Sequence, residues 1–125
     1  MKTSIYSQHY DHSGWLNKLD FYNDEMKIMQ QKLEEVNSKN TANEVRKSVE
    51  HFQNQLFIQK NNSDKLRHHI KREEKEIQNS IKSNPVAVDH RKTEDHTEER
   101  SMMESFEKNF NLLRKEFNAF LSERL

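Results

Sequence analysis

Only one glycine, Gly14, and one proline, Pro85, interrupt the 125 residues of this chain, and that scarcity rules out folds that turn at short intervals. Sandwiches, barrels and glycine-loop nucleotide folds need the bent or left-handed backbone that these two residues supply. Helix is what remains. Charged residues make up 34% and hydrophobic residues 31%, a balance lean for a compact globule but ordinary for long helices that meet along a narrow apolar seam. The formal charge of zero provides no field for nucleic acid, and the absence of cysteine removes disulfides and thiolate metal ligands. The opening MKTSIYSQHYDHSGW lacks the apolar core of a signal peptide, and no segment approaches the roughly 20 apolar residues of a membrane span. A cytoplasmic protein with no membrane partner is expected.

The apolar pattern divides the chain into three rods. Trp15, Leu19, Tyr22, Met26, Met29, Leu33 and Val36 alternate in steps of four and three, the rhythm of a coiled-coil seam. Helix 1 is expected over about 12–38, capped by Asp11 or Ser13. A capping box at Thr41 to Glu44 opens helix 2. Its seam passes through Val45, Val49, Phe52, Leu56, Gln59, Ser63, Leu66, Ile70, Glu73 and Ile77 and predicts one helix over about 42–82, with Asn61 to Ser63 as the one place for a kink. Asn84 and Pro85 read as a cap and first helical residue. The third seam takes His96, Glu99, Met103, Phe106, Phe110, Leu113, Phe117 and Phe120 and predicts helix 3 over about 86–124. Residues 86–96 read either as its first turns or as a loop, with Asp95 to Glu98 as a later capping box.

Short links make consecutive rods antiparallel. The expected fold is therefore all-α, a single-domain three-helix bundle with coiled-coil-like packing, a long helix 2–helix 3 hairpin and helix 1 on its upper part. Partner numbers should total about 81 between helices 1 and 2 and about 168 between helices 2 and 3.

That register gathers histidines. Of seven in the chain, six fall at one end of the bundle: His9, His12, His68, His69, His90 and His96, with His51 apart. Extending the seams turns His12, His96, Glu73 and Glu99 inward, with His69 flanking and three Asp-His dipeptides adding carboxylates nearby. Imidazole with carboxylate is a donor set for zinc or iron, and bundle interiors are where such sites are built. The same residues also fit a polar bundle end whose groups solvate one another. Trp15, beside them, is expected to close the core rather than stack on an imidazole.

Other features have plainer readings. The stripe of Phe106, Phe110, Phe117 and Phe120 is core by its helical spacing. The basic run KLRHHIKR from Lys65 to Arg72 is followed by Glu73, Glu74 and Glu76, which makes it a solvated salt-bridge face with no nucleic acid as partner. No nucleophile beside a base, phosphate loop or acid pair in a cleft stands out, so no enzyme is expected. Phe21, Ile28, Phe57, Ile58 and Leu112 fall outside the seams. A second apolar strip on charged helices is a docking face, and the first functional expectation is a non-enzymatic interaction protein that forms a homodimer or docks another helical protein, with no cofactor. The alternative is a bundle-end site for zinc or iron built from His12, His69, His96, Glu73 and Glu99.

Overall fold

The computed structural model describes residues 5–83 and 89–124, with side chains described over 6–79 and 96–124. Three α-helices account for it: α1 (Ile5–Lys39), α2 (Asn43–Ser83) and α3 (Asp89–Arg124). They pack against one another as the expected three-helix bundle, with no strand among the described residues.

The seams define the core. Every predicted seam position of α2 from Val45 to Ile77 is buried, as is every one of α3 from His96 to Phe120. In α1 Leu19, Met26, Met29, Leu33 and Val36 are buried, while Trp15 and Tyr22 are half-buried against the same cluster. The Asn61 to Ser63 patch does not break α2. Ser63 turns inward instead and donates from Oγ to Asn23 Oδ1 at 3.1 Å, so a weak helix former is held by a partner on α1.

Two boundaries differ from expectation. α1 begins at Ile5, about seven residues before the predicted start, because nothing between Ile5 and Asp11 opposes helix and the four-three rhythm continues backward through buried His12 and Gln8. Asp11 and Ser13 therefore lie inside the helix and do not cap it. α1 consequently runs beside the lower part of α2 and α3, which sequence reasoning had left uncovered. The helical state of α3 from Asp89 overturns the loop reading for 89–96; the Asn84-Pro85 cap, Val86 and Val88 lie outside the described residues, as do the side chains of Ile81, Asp89, His90 and Asp95.

At the α1–α2 link, Asn40 Nδ2 donates to the Val36 carbonyl at 2.9 Å, and Ser38 Oγ to the Glu35 carbonyl at 2.8 Å. Both satisfy acceptors at the open helix end. The first bond of α2 runs from Arg46 N to the Ala42 carbonyl at 3.1 Å, one residue later than a cap at Thr41 implies.

Register follows the links. His51 faces Glu116 at 3.9 Å and Phe52 meets Phe117 at a centroid distance of 5.4 Å, as a total near 168 requires. Between α1 and α2 the pairs Asp20–Arg67, Asn23–Ser63 and His12–Glu74 total about 86 rather than 81. α1 and α3 run parallel, joined by Lys18–Glu107 at 3.3 Å and by a forked Arg114–Glu25 pair whose Nη2–Oε1 arm is 2.9 Å.

Gly14 sits on the exposed outer face of α1, and a Cβ added there meets nothing within 4 Å. A mid-helix glycine costs roughly 0.5–1 kcal/mol relative to alanine. Gly14→Ala is expected to raise stability by about that amount in urea unfolding; a loss would show that the position needs glycine for a reason other than backbone entropy.

Candidate metal centre

The seams of all three helices turn polar at the same level, near the N-terminal ends of α1 and α3 and the C-terminal part of α2. His12 comes from α1, His69 and Glu73 from α2, and His96 and Glu99 from α3. His69 and Glu73 are one turn apart at i,i+4, His96 and Glu99 at i,i+3, so each pair shares a helix face. Glu99 is 0% exposed and His12 1%. His96 and Glu73 are also buried, and His69 is half-buried.

All five predicted residues come together, as two triads. One donor atom from each of His12, His96 and Glu99 lies within 4.8 Å of the others, and the same holds for His69, Glu73 and Glu99. Glu99 belongs to both. Its Oε2 accepts from His12 Nε2 at 2.8 Å, while its Oε1 faces His69 Nε2 at 3.5 Å.

A second layer of carboxylates orients the rings. His12 Nδ1 donates to Glu74 Oε2 at 2.6 Å, and Glu74 also accepts from His9. His96 Nε2 donates to Asp11 Oδ2 at 2.9 Å, and Arg100 Nη2 donates to the same oxygen at 2.9 Å. A histidine whose second nitrogen donates to a carboxylate has its tautomer and ring plane set, the usual support for a metal-ligating imidazole. In His96 this leaves Nδ1 as the lone-pair atom. His96 Nδ1 and Glu99 Oε1 are both buried without a hydrogen-bond partner, a costly state for polar atoms that Gln59 Oε1, outside the cluster, shares.

Trp15 stacks on His96, with ring centroids 5.0 Å apart and planes 24° from parallel, and lies 5.8 Å from His12. It packs against the core cluster, as expected, and stacks on the imidazole as well. It walls one side of the cluster with an apolar ring, which strengthens the electrostatic interactions behind it.

Glu74, Arg100, His9 and the inward role of Asp11 were not individually predicted as site residues. Their signal was the register: with α1 extended to Ile5 and the α1–α2 total near 86, Glu74 falls opposite His12. His68, by contrast, is exposed, His51 lies at the far half beside Glu116, and the His90 side chain is outside the described residues.

Both nitrogens of His12 contact carboxylates, which only accept, so the ring is held as imidazolium. Burial works against that charge, but the bonds to Glu99 and Glu74 outweigh it and raise the His12 pKa above its ordinary 6.5. For Glu74 and Asp11 burial likewise opposes ionisation, and the bonds from His12 and His9 to Glu74, and from His96 and Arg100 to Asp11, outweigh it and lower both carboxyl pKa values. The stability supplied by His12 is thus complete below its unfolded value and is lost as pH rises through its higher folded value. That of Glu74 and Asp11 is complete above their unfolded values and is lost as pH falls through the lower folded ones. Chelator-treated protein is expected to be most resistant to urea between about pH 4.5 and 6.5, the ordinary values of Glu and His. A midpoint still climbing from pH 7 to 9 would contradict the imidazolium assignment.

The five apolar residues outside the seams are exposed, Phe21 and Phe57 the most, at 66% and 68%. They do not form one strip. Phe57 lines a groove between α1 and α2 with Met26 and Leu56, and Ile58 points about 100° further round the same helix. Phe21 and Ile28 share the outward face of α1 with Tyr6 and Tyr10, while Leu112 lies on α3. The α1–α2 groove and a second groove between α2 and α3, lined by Leu66, Met102 and Phe106, contain none of the cluster residues. No described helix is long and apolar enough to cross a membrane. Compared with known proteins, no family model matches the chain, and neither a curated protein nor a solved structure is significantly similar to it.

Proposed function

We propose that this protein is a metal-binding helical bundle that holds zinc or iron in the cluster of His12, His69, His96, Glu73 and Glu99. The observation that carries the reading is the buried pair of atoms without a hydrogen-bond partner, His96 Nδ1 and Glu99 Oε1, inside a convergent set of imidazoles and carboxylates. Three imidazoles and two carboxylates, without thiolate, are donors that suit Zn(II) or Fe(II) over the softer ions. The ion would tie the three helices together where the apolar seam gives out, and no catalytic step belongs to this reading.

Elemental analysis of tag-free protein purified without chelators is expected to find stoichiometric zinc or iron, with added metal raising the melting temperature of stripped protein. Absence of both effects would contradict the reading. Binding displaces the proton between His12 and Glu99, so affinity is expected to weaken as pH falls from 8 to 6, by at least tenfold in an indicator competition assay.

The exposed apolar residues support a second reading, association with another copy of the chain. Light scattering at micromolar concentration then gives a dimer mass that Phe57→Glu lowers to a monomer. A monomeric wild type contradicts it.

A further inference from the structure

The two triads are not independent sites, because each needs Glu99. That carboxylate points one oxygen at each half: Oε2 toward His12 at 2.8 Å and Oε1 toward His69 at 3.5 Å. It is fully buried, and its Oε1 has no hydrogen-bond partner. A bidentate carboxylate with a nitrogen donor opposite each oxygen has the arrangement of a bridge between two ions.

We propose, building on the metal-binding reading above, that the cluster is a dinuclear centre in which Glu99 bridges two divalent transition-metal ions. One ion is held with His12 and His96, the other with His69 and Glu73. His69, half-buried, is the more accessible side, so the second ion exchanges with solvent faster than the first.

Native mass spectrometry of full-length, tag-free protein titrated with Zn(II) reads the stoichiometry directly. Two bound ions are expected for wild type, one for His69→Ala, and none at micromolar zinc for Glu99→Gln. One ion in wild type, or two retained by His69→Ala or by Glu99→Gln, overturns the bridge and leaves the metal-binding reading standing. No bound ion in wild type overturns both. Should Glu99→Gln fail to fold by circular dichroism, the wild-type count and His69→Ala, a substitution at a half-exposed position, decide the matter.

Discussion

Glu99→Ala is expected to destabilise metal-free protein by about 3–5 kcal/mol at pH 6, the range for removing one partner from a buried ion pair. Glu99 is wholly enclosed and accepts the Nε2 proton of His12. Its loss leaves a buried imidazolium with Glu74 as its remaining acceptor, and a cavity between α1 and α3. His12 can escape by shedding its proton, and the stability that its charge supplies falls once pH exceeds the ordinary histidine value, so the penalty is expected to be smaller at pH 8. The same substitution removes the donor common to both triads, so metal should no longer raise the melting temperature. Urea unfolding with chelator at the two pH values checks the first part: an unchanged midpoint at pH 6 would mean that the His12–Glu99 contact contributes nothing to the fold.

Phe110→Ala is the other large effect, about 3–5 kcal/mol destabilising by loss of transfer energy and creation of a cavity. Phe110 is 0% exposed. Its ring lies 4.8 Å from that of Tyr22 on α1 and 6.1 Å from Phe106, with the Arg114 guanidinium 5.0 Å from its centroid. Removing it therefore loosens the α1–α3 contact, including the Arg114–Glu25 pair. Leu112→Ala, two residues away but exposed, is the control and should stay within about 0.5 kcal/mol of wild type. Comparable losses from the two variants in denaturant unfolding would show that the seam does not define the core.

The seams were legible because helical periodicity is a property of one strand of sequence. Val45 to Ile77 and His96 to Phe120 could be assigned inward without knowing any partner, and even the polar entries Gln59, Ser63, Glu73 and Glu99 proved buried. The start of α1 was harder. Residues between Ile5 and Asp11 carry little apolar signal, and their helical state goes with the burial of Gln8 and His12, the latter bonded to Glu99 on α3. Tertiary packing settles such a segment where propensity is neutral.

The same distinction applies to the candidate centre. His12, His69, His96, Glu73 and Glu99 could be brought together from the two turns and the four-three rhythm. Their supports could not, because Glu74 reaches His12 only at an α1–α2 total of 86, and Asp11 reaches His96 across the parallel α1–α3 contact, which the two turns define only indirectly. Trp15 closes the core as expected, and its additional stacking on His96 was not legible because it depends on the α1–α3 register.

The central claim is that imidazoles far apart in the chain take up one metal centre. Long-range proton–nitrogen correlation spectra of the histidine rings, recorded as Zn(II) is added to stripped protein, test it residue by residue. The ring nitrogens of His12, His69 and His96 should shift to metal-bound values in slow exchange, while His51 and His68 stay where they were. Shifts confined to the exposed rings, or none at all, would contradict it.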